Sequence, residues 1–212
     1  MKKAPNTARL KKLIGENAKF RLSVADRAFL SDLARLHIIS SDLADKYHYD
    51  HLQNGSGGSL SRLERAGLLT SKTMNQAGAI PIKTYQFASE PIAKAYGGRL
   101  PVTGAKRTDL HELITTRAFY ALARPADFRL AINLTKAEIA LCGSLRPDAV
   151  YTDESGAMVM VEADSGQYTK HQILKKVATW RAAGNTRQVW AQPARGVCSN
   201  VPKLPGIEVM RL

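Results

Sequence analysis

Asp148, Glu162 and Asp164 stand close together in "SLRPDAVYTDESGAMVMVEADSG", residues 144–166. The run Met158-Val159-Met160-Val161 reads as a strand. Side chains alternate along a strand, so Glu162 and Asp164 share one face while Val161 and Ala163 take the other. With a turn centred near Ser155, Asp148 on the incoming strand falls opposite Glu162 or one place from it, and the three carboxylates converge at the open end of a hairpin. Neighbouring like charges need a cation. A hard divalent ion such as Mg²⁺ or Mn²⁺ takes oxygen ligands of this kind, and there it would activate a water and offset charge on a phosphodiester. The same pattern also fits a solvated strand end, or acids paired with Arg146, Arg181 or Lys170.

The elements that must position these acids read as an α/β unit over residues 108–212. A helix is expected from Thr108 to Ala123, burying Leu110, Leu113, Ile114, Ala118 and Leu122. Strands follow at 128–134, 145–151 and 157–164, then a helix at 168–183 closed by Gly184, then short strands at 188–191 and 207–210. Helix, three strands, helix and strands in that order pack a mixed sheet between helices. His111 and Glu112 near the start of the first helix suit a further ligand or base, although a lone His there is commonly a surface or capping residue. His171 is a weaker candidate of the same kind. Trp180 and Trp190 fall at core spacing.

The surroundings of such a site are strongly basic. The 212 residues carry 31 Lys and Arg against 18 Asp and Glu, a formal charge of +13, which favours a polyanionic partner. Neither an apolar run of about 18 residues nor a signal peptide is present, so a membrane partner is not expected and the cytoplasm is the expected location. Cys142 and Cys198 lie far apart without metal-ligand spacing, so neither a zinc site nor a disulfide framework is indicated. Residues 1–21 concentrate positive charge, with Lys11 and Lys12 among them, and read as a flexible basic arm able to lie along phosphates.

Residues 22–90 form a separate pattern. Ser23 caps a helix with Val24, Ala28, Phe29, Leu33 and Leu36 on one face, and a second start at Ser40 or Ser41 turns Leu43, Ala44 and Tyr47 inward. A Gly/Ser loop then opens a third helix with Leu60, Leu63 and Ala66 inside and Ser59, Arg62 and Arg65 outside. Leu68 and Leu69 begin a strand, and Ile82 to Phe87 returns after a turn. Three helices and a two-stranded wing, with the phrase "SLSRLERAGLL", resemble the winged helix-turn-helix fold. The third helix would enter the major groove of double-stranded DNA with Ser59, Arg62 and Arg65, while Lys72 and Lys83 of the wing touch backbone nearby. Winged helices also serve as dimer platforms, which leaves a homodimer open. "PIAKAYGGRLPVTGAKR", residues 91–107, reads as the linker to the second unit.

"RPDA" followed after a short hairpin by "VEAD" resembles the Pro-Asp…Asp/Glu-x-Lys core of the restriction-endonuclease-like phosphodiesterases. With the winged-helix N-terminus, "HEL" on the first core helix and a Lys-rich helix after "EAD", the chain is similar over residues 22–192 to the replication-relaxation family, the MobC-type plasmid mobilisation proteins and relaxases. The resemblance implies site-specific, metal-dependent DNA nicking in conjugation, beside other mobilisation or transfer proteins. It makes Asp148 and Glu162 metal ligands and puts Asp164 where the superfamily has its Lys. An Asp cannot offset developing negative charge, so Lys170, Lys175 or Lys176 would have to reach back; Lys176, sharing a helix face with Gln172, is the one assigned to catalysis. A scaffold without chemistry, serving as a DNA-binding accessory or transcriptional regulator, is the alternative. The "HYDH" of His48–His51 has the wrong spacing for the His site of tyrosine relaxases.

Overall fold

The computed structural model describes residues 21–74, 81–100, 109–194 and 200–212. The chain is an α/β protein that divides into two compact units, Met1–Arg107 and Thr108–Leu212. Among the described residues no helix is long and apolar enough to cross a membrane. Lys11 and Lys12, Cys198, the turn at 75–80 and residues 101–108 of the expected linker lie outside the described residues.

In the first unit, α1 (Val24–Leu36) starts where Ser23 and Asp26 exchange side-chain and backbone hydrogen bonds in a capping box. β1 (Ile39–Ser40) leads into α2 (Ser41–Tyr47), and α3 (Gly57–Arg65) is followed by β2 (Leu69–Met74) and β3 (Ile82–Phe87). β3 pairs antiparallel with β2 from Leu69↔Phe87 to Met74↔Ile82, and with β1 on its other edge, giving the order β1-β3-β2. Phe29, Leu30, Leu33, Leu60, Leu63, Leu68, Tyr85 and Phe87 make its core. Two expectations change. Val24 is 81% exposed, because the buried stripe of α1 begins a turn later. Residues 91–100 are no linker: α4 (Glu90–Ala95) opens with Pro91 in its first turn, Tyr96 stacks on Phe87 at 5.3 Å, and the Leu100 N–H donates to Glu90 at 2.7 Å. Gly98 is needed here, since a Cβ would come within 2.5 Å of the Ala34 carbonyl oxygen.

The second unit runs α5 (Asp109–Ala121), β4 (Arg129–Leu130), a 3₁₀ turn at Ala131–Asn133, α6 (Lys136–Leu141), β5 (Ala149–Thr152), β6 (Met158–Ala163), α7 (Lys170–Ala182), β7 (Gln188–Gln192) and β8 (Ile207–Arg211). The sheet order is β4-β5-β6-β7-β8. β4, β5 and β6 pair antiparallel, whereas β6, β7 and β8 are parallel, the helix α7 supplying the crossover that parallel strands require. The expected strand at 128–134 is cut to two residues, because Thr135 and Glu138 form a second capping box and start α6 instead. Ile173, Val177 and Trp180 of α7 pack on Val150, Met160 and Trp190, one face of the sheet. α5 packs on β6 and β7, and both strands are buried on both faces. Trp180 and Trp190 are core, as their spacing predicts, with ring centroids 5.9 Å apart.

Candidate metal centre

The antiparallel pairing of β5 and β6 ends at Ala149↔Val161. Asp148 and Glu162 each lie one residue beyond that last rung, and the Ala163 N–H fixes Asp148 by donating to its Oδ2 at 2.8 Å. From the first turn of α5, His111 brings Nε2 to 2.6 Å from the same oxygen. One ligand atom from each of His111, Asp148 and Glu162 lies within 4.8 Å of the others. Three segments far apart in sequence thus meet at the end of the β5–β6 ladder.

Glu162 is wholly buried. Its Oε1 accepts from the Tyr168 hydroxyl at 2.5 Å and forms an ion pair with Lys176 of α7. Lys176 also donates to the Tyr168 oxygen at 3.2 Å, so hydroxyl, ammonium and carboxylate close a triangle. Oε2 has no hydrogen-bond partner among the described residues. Burial pushes the Glu162 carboxyl up to about 7, and the Asp148 carboxylate adds to the rise, while Lys176 and Tyr168 oppose it. An orphaned buried oxygen beside a second carboxylate and an imidazole is a donor set that suits a divalent ion.

Lys176, the lysine assigned to catalysis, has its ammonium on Glu162. Lys170, Lys175 and His171 are exposed on the same helix. Asp164 shares the face of Glu162 but is not in the trio. Its Oδ1 accepts from the Gly166 N–H at 2.9 Å and its Oδ2 from the Gln192 side chain at 2.7 Å, so both oxygens serve the loop and β7. Asp164, expected as the third ligand, thus lies outside the cluster, whose third member is His111. Glu112 lies outside the trio too. Two further residues of the centre escape sequence reasoning. Tyr168 precedes the Thr169 cap of α7 and carries no periodic signal, and Gln192 announces itself only through the neighbourhood of β6 and β7.

In the first unit, Ser59 is half-buried on α3, and Arg65 is exposed with Nε 3.4 Å from the Ser61 carbonyl. Arg62, expected to face outward, is occupied: it pairs at 2.5 Å with Asp26, which is wholly buried, and donates to the Arg21 carbonyl at 2.9 Å. A buried carboxylate requires a cation, and that requirement turns Arg62 inward. Lys83 pairs with Glu64 of α3 at 3.0 Å, tying β3 to the helix, and Lys72 is half-buried on β2. His48 lies buried 3.5 Å from Asp32 and joins no ligand cluster among the described residues. No family model matches the chain, and neither does any curated protein or solved structure.

Proposed function

We propose that the chain binds double-stranded DNA through a winged-helix first unit and nicks it with a divalent ion, Mg²⁺ or Mn²⁺, in the second, as a cytoplasmic mobilisation protein of the replication-relaxation kind. One observation carries the catalytic half of this reading. Glu162 is wholly buried with one oxygen unpartnered, and it sits within ligand distance of Asp148 and His111. Burying a carboxylate and leaving an oxygen empty costs stability, which is the mark of a site kept for something other than folding.

Asp148 and Glu162 would hold the ion, which when bound supplies an acidified water and a positive charge against the phosphoryl oxygens. Tyr168 and Lys176 hold the Glu162 carboxylate in one orientation through Oε1. Lys176 also stands where positive charge is wanted and Asp164 cannot supply it, beside the carboxylates. Arg65, Ser59 and Lys72, with the net charge of +13, support DNA as the partner, joined by other transfer proteins or a second copy. A second reading has an observation of its own. Lys176 and His111 already partner the two carboxylates, which suits a DNA-binding accessory on the same scaffold without chemistry.

Supercoiled plasmid carrying the cognate transfer region, incubated with Mg²⁺, Mn²⁺ or EDTA, separates the two. Metal-dependent nicking by the wild type that is lost in Glu162→Ala supports the enzyme. Equal DNA binding by both proteins, with no nick from either, leaves the accessory.

A further inference from the structure

We infer that His111 is a third ligand of this centre and makes it selective for a transition ion of the Mn²⁺ type over Mg²⁺. The inference rests on the reading of Asp148 and Glu162 as ion-holding residues and names the ion they share with the imidazole.

The chemistry of the donors decides. Mg²⁺ is a hard ion that keeps its waters and takes carboxylate and phosphate oxygens, whereas first-row transition ions also accept imidazole nitrogen, Mn²⁺ least tightly among them and the only one that shares the oxygen preference of Mg²⁺. Ligands on opposite sides of a small divalent ion, each bound at about 2.1 Å, stand about 4.2 Å apart. His111, Asp148 and Glu162 offer atoms all within 4.8 Å of one another, so a small adjustment that opens the 2.6 Å His111–Asp148 pair completes the set. His111 Nε2 lies 2.6 Å from Asp148 Oδ2, within hydrogen-bond distance. Coordination of an ion would take the place of that contact, with the nitrogen and the oxygen as neighbouring ligands. Glu162 contributes independently. Its Oε1 is engaged by Tyr168 and Lys176, and its wholly buried Oε2 has no partner, so an ion does not have to break an existing contact of that oxygen. The Tyr168 ring, with its centroid 6.5 Å from that of His111, packs beside the imidazole and limits its swing.

The test is binding of the bare ion to the full-length protein without nucleic acid, read by the electron paramagnetic resonance signal of free Mn²⁺, with Mg²⁺ as competitor. The wild type is expected to bind Mn²⁺ at least about tenfold more tightly than Mg²⁺. His111→Ala loses about tenfold in Mn²⁺ affinity and little in Mg²⁺ affinity, and His111→Asp, an all-oxygen set, narrows the preference from the Mg²⁺ side. Circular dichroism of each variant confirms that the fold is retained. A wild type that binds both ions equally, and loses both in Glu162→Gln, overturns the role of His111 and keeps the two carboxylates as the centre. A wild type that binds neither ion overturns the centre itself.

Discussion

Asp26 in the first unit and Glu162 in the second are both wholly buried carboxylates, each held by a tyrosine hydroxyl and by a cation from a nearby helix. At Asp26 the donors are spread over both oxygens: Tyr49 reaches Oδ1 at 3.1 Å, while Arg62 and the Ser23 N–H, at 2.7 Å, reach Oδ2. At Glu162 the tyrosine and the lysine share Oε1 and leave Oε2 empty. The consequence is opposite electrostatics. Burial alone would raise the Asp26 carboxyl, but the Ser23 N–H and the Arg62 guanidinium outweigh it and hold Asp26 below the ordinary carboxylate value. Burial wins at Glu162, with Asp148 adding to it. The same residue types thus make a structural brace in one unit and a poised ligand in the other. What separates them is how the donors are distributed, and whether a second acid stands close by.

The contrast is broken most forcefully by removing each acid. Asp26→Ala strands the Tyr49 hydroxyl and the Arg62 fork and removes half of the capping box, so the first unit should lose about 3 kcal/mol. Hydrogen exchange of the α1 amides under urea measures it, and a loss below about 1 kcal/mol would show the brace to be idle. Glu162→Gln should act the other way. With EDTA present at pH 8, it removes a charge that the second unit holds at a cost, and the amides of β6 should gain about 1 to 2 kcal/mol of protection. A loss of that size instead would make Glu162 a brace like Asp26.

The pH dependence sharpens the same point, because the two shifts have opposite signs. Asp26 is depressed in the folded state, so its contribution is present above its unfolded value of 3.8 and is lost as pH falls through the folded value. Glu162 is raised from 4.5 to about 7, so the folded second unit binds a proton more readily than the unfolded chain and loses stability as pH rises between those values. In metal-free buffer, the protection of α1 relative to the intrinsic exchange rate should fall below about pH 4, and that of β6 should fall from pH 5 to 7. Asp26→Asn and Glu162→Gln should each flatten only their own slope. Parallel slopes in both units would remove the electrostatic distinction.

Much of this arrangement could be read from the chain, and the misses have definite causes. The hairpin of β5 and β6 follows from alternation and a Gly-containing turn, so Asp148 and Glu162 meet as predicted. Lys176 is one of three lysines that the α7 sequence offers, and its contact with Glu162 comes from the packing of α7 on the sheet. Alternation, however, gives a face and not a partner: Asp164 lies on the right side, yet its oxygens are claimed by Gly166 and by Gln192 on β7, and the choice of β7 as the neighbour of β6 is made by tertiary packing. His111 was one candidate among several because nothing local ties α5 to the end of β5. Arg62 reads as exposed by period alone. Ser23 is legible as a cap, but the part of Asp26 in the box, its burial and with it the demand for a cation appear only when α1 and α3 pack.

The smallest expected effect tests the distribution of donors directly. Tyr49→Phe and Tyr168→Phe each delete one hydroxyl that donates to a buried carboxylate, and each should lower the stability of its own unit by about 1 kcal/mol. On stability alone the two tyrosines are equivalent. On metal affinity they are not. Without the Tyr168 hydroxyl, Lys176 alone orients Glu162, the carboxylate gains freedom to rotate, and Mn²⁺ affinity should fall about tenfold, as it does when the outer partners of a ligand are removed. Tyr49→Phe should leave Mn²⁺ affinity within error of the wild type, since Asp26 has no empty oxygen and belongs to the other unit. Calorimetric titration of Mn²⁺ into both variants reads the difference. Equal affinities would mean that Tyr168 braces the second unit in the way Tyr49 braces the first, and the empty oxygen of Glu162 would then have no ligand-holding role.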